Sequence, residues 1–397
     1  MKKFVFIFIS SFLFLFPVCA DETEPFRIKD RSFEAGLANI GLGASNSLLP
    51  ISSFFKKNMI IDLDKINSDL NVTVNLFCTP LHFRYRKDNN WGVGLSTTAE
   101  AFGFADISEN LLSLSEARND TSTTGAEAFA GIAVPVFFHI QKFKITIQPS
   151  LFYPIVYVVP DISYTNYSSN NGSALNLSYS MRMYTIASFK DRFNGISASP
   201  GVDFKLGVEY PLSEVLELNT VHRILSFDAG LDIINLPVIP SAIRDYMEKS
   251  GAVTINNLDL DTLNFDNFVE FNDNEIVYGK SKTRVLRPFK MLAWVNWQPL
   301  GTSLLSITPI LGFSINPLYP QPASFEGGVT TRLDVANLFI VSLGINYTDR
   351  CWKNGLEIIL NCRAVELDLG INLQAKSFAQ SWTGYGFGAM FGMKFGW

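Results

Sequence analysis

The chain has 397 residues, with 32 Lys and Arg against 37 Asp and Glu, for a net charge of −5. Only 17% of its residues are charged, while 34 are Phe and 3 are His. That balance excludes a nucleic-acid partner, which needs a basic face. The charged share also falls well below the ~25% of ordinary soluble domains.

Residues 1–20, MKKFVFIFISSFLFLFPVCA, read as a cleaved export signal. Lys2 and Lys3 precede an apolar run from Phe4 to Phe16, and Val18-Cys19-Ala20 offers a small-residue cleavage site. The run is shorter than the roughly 20 residues of a spanning helix. No later stretch has 18 or more successive apolar residues. An exported, aromatic-rich, charge-poor chain of this kind is expected to be all-β, a transmembrane antiparallel β-barrel of an outer membrane. In lipid every backbone polar group must be paired internally, which leaves only helices and closed barrels. A soluble exported β protein would also alternate, but with more charge on its outward faces.

In chain order, residues 21–32 form a short periplasmic or hatch-like arm, and 33–397 form the barrel. Alternating segments predict fourteen strands, at 33–45, 70–86, 91–104, 124–138, 143–158, 197–210, 222–236, 281–298, 304–316, 323–335, 339–349, 354–361, 365–376 and 383–397. GVDFKLGVEY sets Val202, Phe204, Leu206, Val208 and Tyr210 against Asp203, Lys205 and Glu209. VELDLGINLQA does the same with Leu367, Leu369 and Ile371 against Glu366, Asp368 and Asn372. The count is even, as a single-chain barrel with both ends at the periplasm requires; twelve and sixteen are the neighbouring even counts. Short connections alternate with long ones at 46–69, 105–123, 159–196 and 237–280. Within the long ones, 46–69 has amphipathic helical spacing and reads as a plug or outer loop. SAIRDYMEKSG in 237–280 reads as a short helix. LNLSYSMRMYT alternates too, but counted alone it breaks the parity, so it is placed in a structured outer loop.

The polar face of these strands carries both signs. Lys144, Asp203, Lys205, Glu209, Arg332, Asp334, Glu366, Asp368 and Lys394 are expected to face the lumen, together with Glu100, Glu127, Asp228, Asp232 and Glu326. They pair across the lumen and stiffen the wall, or line a solute path. Fourteen strands enclose more than wall side chains fill, so the lumen needs a channel or a plug. On the last strand Tyr385, Phe387, Phe391, Phe395 and Trp397 share one face, which is expected to meet membrane lipid. A terminal aromatic strand of this kind resembles the signal read by the outer-membrane assembly machinery.

No catalytic constellation is present: there is no G-x-S-x-G, P-loop or H-E-x-x-H. His82, His139 and His222 have no partner at metal-ligand spacing and read as interfacial or solvated. No enzyme, cofactor or metal is therefore expected, and the acids of 237–280 read as solvated. Cys351 and Cys362 fall at opposite ends of one predicted strand, roughly 30 Å apart at the strand rise, too far for a disulfide.

The fourteen strands, the small-residue segment AGLANIGLGAS, the apolar outer loops and the terminal aromatic strand together resemble FadL-like outer-membrane transporters. The resemblance implies passive uptake of long-chain fatty acids or other hydrophobic small molecules by a monomer, through a lumen plugged by an N-terminal hatch. It names no binding residue. A general porin for hydrophilic solutes, and a surface or assembly barrel whose loops bind a partner, stay open beside it.

Overall fold

The computed structural model describes residues 31–397 apart from 48–49, 51–68, 88–89, 110–118, 160–163, 170–173, 187–196, 213–225, 257–268 and 363. The export signal, nearly all of the 21–32 arm, most of the 46–69 segment and His222 lie outside the described residues.

The strands are β1 (Phe33–Asn46), β2 (Leu70–Lys87), β3 (Trp91–Ile107), β4 (Asn119–Ala133), β5 (Val136–Ile140), β6 (Phe143–Val158) and β7 (Tyr164–Ser169). Next come β8 (Ala174–Thr185), β9 (Ala198–Ser199), β10 (Gly201–Pro211), β11 (Ser226–Ile239), β12 (Ser241–Asn256), β13 (Val269–Asp273) and β14 (Val277–Val285). The last are β15 (Phe289–Gln298), β16 (Leu305–Ile315), β17 (Ala323–Val335), β18 (Phe339–Thr348), β19 (Cys351–Asn361), β20 (Val365–Ala375) and β21 (Gly386–Gly396). One short helix, α1 (Phe378–Ser381), is capped by the Ser377 hydroxyl.

Fourteen of these positions form a closed antiparallel wall. Its order is β1, β2, β3, β4 with β5, β6, β10, β11, then β15 to β21, and β21 pairs back onto β1. β4 and β5 act as one wall strand broken at Val134-Pro135, where Pro135 has no N–H to give the ladder. Closure leaves no free edge. At the seam Phe33 and Trp397 exchange backbone hydrogen bonds of 3.0 Å, and their rings stack with centroids 4.9 Å apart. Both ends of the wall and its short connections share one end, here the turn end; the opposite end is the loop end.

The strand count agrees with the alternation, but the expected strand 281–298 is broken at 286–288, where β14 leaves for the extension and only β15 joins the wall, and the long connection 237–280 does not hold the expected helix. SAIRDYMEKSG is part of strand β12, which pairs with β8 from Asp245↔Thr185 to Asn256↔Ala174. LNLSYSMRMYT is within β8, and β7 joins it to β4. With β13 and β14 these strands extend the sheet past β10 at the loop end, so the wall parity is unchanged. A bulge between Ile243 and Asp245 explains the misleading pattern. It puts Ile243 and Tyr246, three apart, into the same cluster, which mimics helical spacing.

The outward face is apolar around the wall: Leu81, Leu95, Ile132, Leu151, Leu311, Val329, Leu343, Ile371 and Phe391 are all exposed. Aromatic pairs mark both rims. Tyr85–Trp91 and Phe143–Tyr210 lie at the turn end, with centroids 5.8 and 4.5 Å apart; Tyr347–Trp352 and Trp352–Phe378 lie at the loop end, 5.3 and 5.0 Å apart. An apolar belt between aromatic girdles matches the boundary conditions of a bilayer. Among the described residues no helix is long and apolar enough to cross a membrane; the crossing elements are strands.

Candidate ligand site in the lumen

The inward face is built in levels. At the turn end, the strands that close the barrel carry buried charge. Glu34 on β1 is bonded by His82 Nε2 at 3.0 Å and lies 3.6 Å from Arg84 on β2. Lys394 on β21 lies 3.2 Å from Glu366 on β20, and Glu366 has no exposed surface. The pairs are packed by a close approach: a Cβ at Gly36 would fall inside the His82 ring, which crosses the strand at that point.

Farther up, Arg287 sits in the break between β14 and β15 and reaches across the lumen. Its guanidinium lies 2.7 Å from Glu100 on β3 and 3.4 Å from Asp203 on β10, with its carbon 5.6 Å from the Phe152 ring centroid. Ser150 donates a hydrogen bond to Asp203.

Above this the lumen is filled by apolar side chains. Phe104, Phe129, Phe152, Tyr157, Tyr184, Ile243, Val285 and Leu318 form one buried cluster, with Tyr319 packed against it. Leu318 and Tyr319 do not belong to a strand. The connection 316–322 between β16 and β17 folds inward from the far wall and places them there. Leu318 has no exposed surface and fills the space left by Gly125, where its Cγ is 3.1 Å from an added Cβ. The Tyr319 ring stacks on Phe104 at 4.4 Å and carries the Arg350 guanidinium 4.0 Å above its centroid. Arg350 is tied to the connection by bonds to the Gln321 and Ala323 carbonyls. Asn316 donates from Nδ2 to Glu127 Oε1 at 3.3 Å.

Two polar atoms at this level have no hydrogen-bond partner: Glu127 Oε2 and the Tyr319 hydroxyl. Glu127 is 3% exposed. Burial raises the Tyr319 hydroxyl well above the usual tyrosine value, so it keeps its proton.

A second charged group stands near the loop-end rim. Asp349 lies 2.6 Å from Lys290 and 3.0 Å from Lys353, and Lys290 lies 3.9 Å from Glu326. Burial by itself would raise Asp349, but Lys290 and Lys353 outweigh it and hold the carboxyl well below its usual range. A depressed carboxylate stabilises the fold above its unfolded pKa. That contribution is present at neutral pH and is lost only as pH falls below the ordinary aspartate range.

The residues expected from sequence divide as follows. Glu366 and Lys394 are buried together, Asp203 is 1% exposed, and Asp334 is buried with Arg332 3.7 Å away. Asp368 is buried on the same strand face as Glu366. Lys144 and Glu209 pair at 2.8 Å, half-exposed near the turn end, and Lys205 is half-buried. On the other face Phe387 and Phe391 are exposed, Trp397 is 61% exposed, and Tyr385 and Phe395 are half-buried. His139 is exposed and meets the Asn90 carbonyl. His82 departs from its reading as an interfacial or solvated residue: it is 3% exposed and bonded to Glu34. Its face was legible, because His82, Arg84 and Arg86 alternate with the apolar Leu81, Phe83 and Tyr85. Cys78, Cys351 and Cys362 are free thiols, and Cys351 and Cys362 lie at opposite ends of β19. Among the described residues no three His, Cys, Asp or Glu side chains are placed to hold a metal.

No protein-family profile and no curated protein matches the chain. Among solved structures it is similar to the toluene transporter TodX of Pseudomonas putida, at 10% identity over 92% of this chain and 89% of that one, with a TM-score of 0.47. It is also similar to the translocator domain of the autotransporter NalP of Neisseria meningitidis, at 6% identity over 92% and 88% of the two chains, with a TM-score of 0.33. TodX is of the FadL-like family that the sequence resembles. Likenesses this distant add nothing to the barrel read from the strand pairing itself.

Proposed function

We propose that the chain is a monomeric outer-membrane channel for passive uptake of hydrophobic small molecules, of which long-chain fatty acids are one class. The observation that carries this reading is the filling of the lumen. A porin for hydrophilic solutes keeps a polar, water-filled interior. Here the loop-end half holds Phe104, Phe129, Phe152 and Leu318, and part of that filling hangs on a connection rather than on the wall. Moving residues 316–322 aside would expose an aromatic passage suited to an apolar solute. The turn end then faces the periplasm, one chain closes the barrel unaided, and the exposed aromatic face of β21 is what the assembly machinery would read.

Purified protein in liposomes is expected to take up a radiolabelled long-chain fatty acid or an uncharged alkylbenzene faster than empty liposomes do. Uptake of both at the empty-liposome rate would overturn the reading. The extension formed by β7, β8, β12 and β13 favours a second reading, a membrane anchor whose raised sheet binds a partner. That reading expects no uptake at all.

A further inference from the structure

The buried charges of this barrel are not balanced evenly. At the turn end Glu34 has Arg84 and Glu366 has Lys394, each within 4 Å. At the loop-end rim Asp349 has Lys290 and Lys353, and Glu326 has Lys290. Between these ends, Glu100 and Asp203 are both bonded by Arg287 just below the aromatic level, and Glu127 lies within it. Glu127 is left with a single partner, the neutral Asn316 amide at 3.3 Å, and one of its oxygens has none. The Tyr319 hydroxyl beside this cluster is also unpartnered. Among the described residues no cation is bonded to Glu127, Arg287 acting on it only from a distance; a buried carboxylate without a bonded cation is costly, and its surroundings here are ring faces. Ring faces and a carboxylate together form the environment that stabilises an organic cation.

We propose that Glu127 and the rings around it bind a hydrophobic molecule bearing a protonated amine, and that Asn316, Leu318 and Tyr319 occupy this site until the ligand displaces them. The Asn316 N–H stands where a ligand N–H would donate to Glu127. Leu318 stands where the ligand's apolar body would fill the space over Gly125. The Tyr319 hydroxyl then accepts a second N–H. The inference rests on the reading of the lumen as a path for hydrophobic molecules and names the class among them that the site selects.

The test measures binding to the purified barrel in detergent by calorimetry, with 2-phenylethylamine and its uncharged counterpart 2-phenylethanol as probes. The amine is expected to bind more tightly than the alcohol. Glu127→Gln should weaken the amine roughly tenfold, the scale of a lost charged hydrogen bond, and leave the alcohol unchanged. Asn316→Ala removes the competing donor and should tighten the amine roughly threefold. Equal binding of the two probes, or a Glu127→Gln protein that binds the amine as the parent does, would overturn the proposal. If Glu127→Gln fails to fold, the Asn316→Ala result decides, and unchanged amine binding there overturns it. Alkylbenzene uptake into liposomes without amine preference would sink this inference and leave the channel reading standing. Glu127-dependent amine binding without uptake of any probe would do the reverse.

Discussion

At the turn end of the lumen, buried carboxylates sit beside cations on the strands that close the barrel: Glu366 is 3.2 Å from Lys394 and Glu34 is 3.6 Å from Arg84. At the loop end, Glu127 meets only an amide, and that amide belongs to a connection arriving from the opposite wall. The first arrangement is wall against wall. Its charges are satisfied by elements held in register by two complete ladders, so nothing there can leave without opening the seam. The second is wall against contents. Its apolar packing is dense, but Leu318 and Tyr319 could withdraw without breaking a ladder hydrogen bond, because the hairpin pairing ends at the Asn316 N–H to Pro322 carbonyl bond. A barrel that must be stable yet pass a solute needs both kinds of construction, and here they are separated along its axis.

The contrast can be broken most severely at the seam. Lys394→Met leaves Glu366 fully buried without its cation, and should cost about 3–5 kcal/mol in denaturant unfolding of the refolded barrel. Glu127→Gln removes a carboxyl group that has no bonded cation among the described residues, and should shift the same transition by less than about 1 kcal/mol. Equal losses for the two variants would erase the distinction between the ends. Next in size is Gly36→Ala, which drives a methyl into the His82 ring and should cost about 1–3 kcal/mol by forcing the ring off Glu34.

Leu318→Ala sharpens the comparison from the other side. A fully buried leucine in a fixed core would cost about 2–5 kcal/mol. Docking a withdrawable connection should instead give a global unfolding shift under about 1 kcal/mol, with uptake of an alkylbenzene raised in liposomes. The smallest effect concerns thiols. Cys362 is exposed at the turn end, whereas Cys351 is buried at the loop end. A membrane-impermeant maleimide should label Cys362 only when it has access to the periplasmic side, and should leave the native Cys351 unlabelled from either side.

Much of the wall was legible because lipid imposes strict two-residue alternation, and β10, β17, β20 and β21 keep it without interruption. The same pattern showed the polar partners Glu366 and Lys394 on one face, though not that they touch, since register between strands is not written in either strand alone. The extension was harder. The bulge in β12 breaks its alternation and gave SAIRDYMEKSG a helical spacing that pairing with β8 overrides. Arg287 was illegible for a related reason. It lies in the three-residue break before Phe289, where no alternation exists to say which way a side chain points. The inward fold of Asn316–Tyr319 has no periodic signal either. NPLYPQP reads as a surface turn, and only the missing Cβ of Gly125 and the ring of Phe104 on the opposite wall give Leu318 and Tyr319 a place to go.

The central claim is that hydrophobic solutes cross this barrel when residues 316–322 leave the lumen. Leu318 Cγ lies 3.1 Å from a Cβ built at Gly125, about the span from one Cβ to the far sulfur of a disulfide, provided that the Phe104 ring, 2.6 Å from that Cβ, turns aside. A Gly125→Cys/Leu318→Cys protein, with its native cysteines replaced by serine, should be measured for alkylbenzene uptake in liposomes before and after reduction. Uptake at the empty-liposome rate when oxidised, restored by reductant, is the predicted result. The same uptake in both states would contradict the account.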